Sequence, residues 1–255
     1  MIKKISVLFC FICLVSSLYA VSIEIQGHYD TYESLYNKPY NIGLSLAFSE
    51  QVKNNFTVDA NLDYKYAGKY LAYCSGSATF GKFFGRAGVA MDLREFKISP
   101  GFLLTLDYRL WKPLSVMGDL LITLSPEDIT LGSVFDAKGG IVFHFTNQKA
   151  KLLYNFRREL EKDYMLTYHY GVIDITGFES GFPFRMAVFV KGGAYLDTRV
   201  SGPRDVKIEA GGRFELVTKK AGAYFIAGEA NVFQLSTMSS PLTFAVSAGF
   251  RFNIR

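Results

Sequence analysis

Leu242-Thr243-Phe244-Ala245-Val246-Ser247-Ala248-Gly249-Phe250-Arg251-Phe252-Asn253-Ile254 closes the chain, and its reading decides the fold. Leu242, Phe244, Val246, Ala248, Phe250, Phe252 and Ile254 take every second place. Thr243, Ala245, Ser247, Gly249, Arg251 and Asn253 stand between them. A strand sends successive side chains to opposite faces, so this order makes one apolar face and one polar face. Helical spacing would scatter the same residues around a cylinder.

The pattern recurs toward the N-terminus. Phe56, Val58, Ala60, Leu62, Tyr64 and Tyr66 alternate with Thr57, Asp59, Asn61, Asp63 and Lys65. Read throughout, it predicts strands near 22–32, 40–49, 55–66, 69–80, 82–93, 98–110, 114–124, 136–146, 149–157, 164–176, 183–197, 205–217, 221–233 and 241–254. That is fourteen strands, with twelve as the alternative, because Gly76, Gly81, Gly85 and Gly88 blur the fourth and fifth. Most segments match the ~9–11 residues that a tilted strand needs to cross a bilayer. No apolar run after Ala20 is long enough to cross as a helix.

Residues 1–20 read as an export leader. Lys3 and Lys4 precede an apolar stretch from Ile5 to Leu18, and Ala20 supplies a small residue for cleavage. Cys10 and Cys13 lie inside this leader, which leaves Cys74 alone in the mature chain and rules out an intramolecular disulfide. Removing the leader's two lysines and no acid lowers the formal charge from +5 to +3. Such a mild balance gives no footprint for nucleic acid. Residues 21–255 contain no Pro/Ser run, charge block or low-complexity segment, so one domain is expected.

Alternation alone does not say which face meets water, since a soluble sandwich alternates too. Three features favour a closed transmembrane barrel. The polar face is diluted with Gly, Ala, Ser, Thr and Asn. Aromatics make up 16% of the chain, and Tyr29, Tyr64, Tyr66, Tyr108, Trp111, Phe143, Phe145, Tyr168, Tyr170 and Phe184 could form two interfacial girdles. Finally, many strands without a disulfide need their edges hidden, and closure hides them. Connection lengths agree: Trp111-Lys112-Pro113, Asn147-Gln148 and Thr218-Lys219-Lys220 follow even strands, as short turns at the end holding both termini should. The short link after the third strand and the longish 177–182 depart from that parity.

Across essentially the whole mature sequence the chain resembles the outer-membrane β-barrel proteins of diderm bacteria, a porin-like class. Its closing strand is similar to the signal that such proteins present to the barrel-assembly machinery, although Asn253-Ile254-Arg255 stands where a final Phe or Trp is expected. The resemblance implies an outer-membrane location, with membrane lipid and the assembly machinery as partners. At fourteen strands the nearest analogues are monomeric porins and fatty-acid channels. The latter carry a plug before the first strand, whereas Ser22 begins a strand almost at once.

On the less apolar face, the candidates to line the lumen are Glu24, His28, Asp59, Asp63, Arg109, Lys151, Arg185, Lys191, Lys207, Glu209, Arg213, Glu215, Glu229 and Arg251. Acids and bases nearly balance. Either water solvates them in a pore or they pair across the interior and close it. Catalysis, a cofactor and a metal are not expected. His28, His144 and His169 sit on separate segments without ligand spacing, and Gly139-Gly140, Gly192-Gly193 and Gly211-Gly212 precede no helix that would make a phosphate loop. The expectation is a narrow, non-specific diffusion channel for small polar solutes. The alternative is a non-transporting barrel serving as a surface adhesin or structural protein.

Overall fold

Branched and aromatic side chains at alternate positions favour extended backbone, because they pack well on a pleated surface. In the structure, a computed structural model, such segments pair edge to edge around a ring. It describes residues 21–30, 41–65, 69–94, 97–124, 134–160, 165–177, 183–197, 205–218, 222–234 and 244–254. The expected leader lies outside them.

The strands are β1 (Val21–Asp30), β2 (Asn41–Lys53), β3 (Phe56–Lys65), β4 (Lys69–Phe80), β5 (Phe83–Arg94), β6 (Lys97–Trp111) and β7 (Leu114–Thr123). They continue with β8 (Val134–His144), β9 (Lys149–Leu160), β10 (Met165–Thr176), β11 (Phe184–Asp197), β12 (Asp205–Thr218), β13 (Gly222–Gln234) and β14 (Phe244–Ile254). Each pairs antiparallel with its sequence neighbours. β1 also pairs with β14, from Val21 opposite Ile254 to Asp30 opposite Ala245. The sheet is therefore closed and has no free edge.

All fourteen expected strands form, including the glycine-blurred fourth and fifth. The main difference at a boundary is in β2, which runs on through Glu50 to Lys53. Gln51 and Lys53 are exposed there, as polar residues can be where a barrel strand emerges at the rim, whereas Glu50 is buried. Register shifts between Gln51 and Lys53 and between Arg109 and Trp111 place a bulge beside two of the tight links, 54–55 and 112–113. The termini share one rim with the links 54–55, 81–82, 112–113, 145–148, 177–183 and 219–221. The strand ends joined by 31–40, 124–133, 198–204 and 235–243 lie at the opposite rim.

Among the described residues no helix is long and apolar enough to cross a membrane; strands do the crossing in a barrel. A closed ladder can be opened only by breaking a whole strand pairing at once. Refolded protein should therefore show strand-dominated circular dichroism and change its gel mobility on boiling. Substantial helix in the spectrum, or unchanged mobility after boiling, would contradict the architecture.

Candidate functional site

Register fixes the two faces. On β5 and β6, Val89, Phe102, Leu104, Leu106 and Tyr108 are exposed, whereas their neighbours Ala90 and Leu103 are buried. The exposed set continues around the ring through Leu152, Ile173, Val188, Phe214, Ile226 and Val246. Aromatics gather toward both ends of this outer face. Ring pairs Tyr29–Phe244 (5.9 Å), Tyr64–Tyr70 (4.8 Å) and Phe135–Phe156 (5.6 Å) lie toward the rim away from the termini. Phe184–Phe214 (5.2 Å), Phe250–Phe252 (4.6 Å) and exposed Phe80, Phe83, Tyr108, Trp111, Phe143 and Phe145 lie toward the other. Two aromatic belts flanking an apolar band match two membrane interfaces.

Two of the expected girdle residues are placed differently. Tyr168 and Tyr170 stand opposite Arg157 and Asn155, on the inner face. The phase of β10 is set by Asp174 and Thr176, which fall in step with both tyrosines, while Ile173 and Ile175 take the outer face. Tyr66 lies outside the described residues.

The inner face is built around ion pairs that run along the wall. Glu24 on β1 accepts from Arg251 on β14, Nε at 2.9 Å and Nη2 at 2.7 Å. Arg251 Nη1 also reaches Glu215 on β12 at 3.1 Å, and Arg213 Nη2 on β12 lies 3.4 Å from Glu24. Side chains three strands apart can meet only on the concave side of a curved sheet. The Arg213 guanidinium lies over the Phe225 ring at 3.6 Å. Further round, Lys191 on β11 pairs with Glu209 (2.9 Å) and Glu229 (3.0 Å), above the Phe189 ring at 5.7 Å.

Both rings lie flat because a glycine faces each one. Phe189 is opposite Gly211, and Phe225 is opposite Gly249. A Cβ on either glycine would come within 2.6 Å or 2.5 Å of the covering ring's Cζ. Glycine thus lets an inward aromatic lie along the wall, with a cation stacked on it, rather than project toward the axis.

Other expected residues are placed as follows. Asp59 pairs with Arg86 at 3.8 Å, Lys151 with Asp174 at 3.5 Å, and Asp63 accepts from Asn61 at 3.1 Å. Arg109 stands opposite Ser115, Arg185 opposite Glu215, Lys207 opposite Gly193 and His28 opposite Ser247. Four participants are not evident from the sequence: Arg86, Asp136, Lys138 and Asp174. Asp136 holds Arg157 at 3.4 Å, accepts from Asn155 at 2.9 Å and lies 3.9 Å from Lys138. The glycines of β5 hide Arg86. The others share their face with Gly140, Val142, Val172 and Leu153, which dilute its polar signature.

Ser115 Oγ lies 2.8 Å from His144 Nε2, but Ser115 is fully buried. Among the described residues no carboxylate hydrogen-bonds this histidine, and no three His, Cys, Asp or Glu side chains gather as metal ligands. Cys74 is exposed on the outer face opposite Ala60.

No protein-family model matches the chain, and no curated protein matches it by sequence. Solved structures do. A bacterial polysaccharide outer-membrane secretin aligns with a TM-score of 0.56 at 11% identity, over 92% of this chain and 98% of that one. The NanC porin aligns with a TM-score of 0.51 at 10% identity, over 91% and 100%. An outer-membrane channel from Pseudomonas putida F1 gives 0.50 at 9% identity, over 92% and 96%. At such identities the likeness is one of fold: a closed antiparallel barrel of the outer-membrane, porin-like kind.

Proposed function

We propose that this chain, sharing its fold with outer-membrane porins and channels, is a non-enzymatic barrel of the bacterial outer membrane that acts as a narrow diffusion channel for small polar solutes. Residues 1–20 are its export leader, and the closing strand is what the assembly machinery engages. One observation carries the reading. The ion pairs named above join strands at most three apart around the ring and so run along the wall. Charges neutralised along the wall leave the axis to water, whereas pairing across it would close the bore. Barrel diameter grows with strand number: about eight strands are filled by side chains and about sixteen leave a channel, so fourteen suit a narrow path.

The flattened rings of Phe189 and Phe225 support the same reading, because neither ring projects toward the axis. Purified protein added to a planar lipid bilayer should insert as discrete, ohmic conductance steps in potassium chloride. Heat-modifiable protein that inserts without conducting would favour the non-transporting alternative, an adhesin or structural barrel.

A further inference from the structure

The outer face is almost free of charge. Among the described residues, the outward positions of the fourteen strands hold an acid, a base or a histidine at four places only. Glu50 and Lys53 end β2 at the rim of the termini. Arg158 and His169 stand together on β9 and β10, toward the opposite rim. Arg158 is opposite Thr167, and His169 is opposite Phe156, so the two are diagonal neighbours on one face. Such neighbours have Cα atoms about 7–8 Å apart, within joint reach of one ligand group.

Their local bonds orient them. The Tyr154 hydroxyl lies 2.8 Å from His169 Nδ1, and both residues are exposed on the outer face. With the hydroxyl donating to Nδ1, the ring proton sits on Nε2, which becomes an outward donor. The Phe156 ring packs 4.8 Å from the imidazole. Arg158 Nε donates to Met165 Sδ at 2.7 Å, which holds the guanidinium and leaves its Nη fork as the remaining donor.

Level with Phe135 and beside Phe156 in the aromatic belt, Arg158 stands at headgroup depth, where an outward cation meets the charged groups of the lipids. A second copy of this barrel is a poor partner: a two-fold contact would oppose Arg158 to Arg158, and the only outward acid among the described residues, Glu50, lies at the other rim. The anion must come from the leaflet itself. We propose that Arg158, His169 and Tyr154 form a binding site for the phosphate of a phosphorylated membrane lipid in the leaflet away from the termini. Arg158 supplies the charge and the fork, His169 supplies a second donor, and the neighbouring Leu152 and Ile173 give the acyl chains an apolar wall. The site rests on the membrane reading above.

The test is native mass spectrometry of the full-length barrel released from micelles, with diphosphorylated lipid A and its dephosphorylated form as probes. Wild-type protein should retain one phosphorylated lipid, and R158Q/H169Q should weaken that retention by about ten-fold or more, as expected for lost charge-assisted bonds. Retention of the dephosphorylated form should not differ between the two proteins, and R109Q, altered on the inner face, should behave as wild type. Equal retention of phosphorylated lipid by wild type and R158Q/H169Q would overturn the site. Should the double variant not fold, wild-type protein that fails to prefer the phosphorylated probe would overturn it as well. Dimers that vanish in the variant would reassign the patch to contact between copies. A chain that folds in water without detergent would instead overturn the membrane reading itself.

Discussion

Val89→Arg should lower the stability of the refolded barrel in lipid vesicles by about 2–4 kcal/mol, the penalty for Arg or Lys near mid-membrane on a barrel's lipid face. Val89 lies midway along β5, is 67% exposed, and stands opposite Cys74 and Phe102 on the outer face. No acid is close enough on that face to offset the charge. Ser247→Arg is the comparison. Ser247 faces inward between His28 and Ala227, where water and the wall carboxylates can solvate a guanidinium, so its cost should stay within about 1 kcal/mol. Urea titration of the folded fraction in vesicles reads both. Equal losses would mean a dry, packed interior and would remove the channel. A larger loss from Ser247→Arg would show that the faces are inverted.

The contrast between Val89 and Ser247 depends on a face assignment that is legible in the sequence, because a period of two leaves only two choices of phase. The closing strand sets it: Arg251 falls with Ser247 and Gly249, opposite Phe250 and Phe252, and the register carries that phase around the ring. The phase fails to show in β10, where both faces carry bulky residues. Tyr168 and Tyr170 look like girdle residues until Asp174 on the same side is weighed with them. In β5, glycine on both faces erases the contrast that would reveal Arg86. Pairing is harder still to read. Glu24 and Arg213 meet across 189 positions of sequence, and only ring closure through β1 and β14 brings them together. The stacking of a cation on an aromatic laid over glycine depends on register at single-residue precision, which periodicity does not supply.

Glu24→Gln should turn the lower inner wall anion-selective, and Arg251→Gln should turn it cation-selective. Glu24, Glu215, Arg213 and Arg251 form a cluster of two acids and two bases, so its formal charge is zero. Glutamine keeps the shape of Glu24 but removes one negative charge. It also sets an amide that can donate against two guanidinium groups that can only donate. The cluster then carries an excess positive charge, and under a salt gradient the reversal potential moves toward that of chloride. Arg251→Gln leaves the opposite excess and should move it toward potassium. Stability should fall by about 1–2 kcal/mol in Glu24→Gln, less than a fully buried charge-assisted pair would lose, because the Glu24 and Arg251 side chains are 19% and 31% exposed. Screening gives a further check: the Debye length is about 10 Å at 0.1 M salt and about 3 Å at 1 M, so both shifts should shrink as salt rises. Shifts of the same sign in the two variants, or shifts indifferent to salt, would place the cluster off the ion path and leave it a purely structural clasp between β12, β14 and β1.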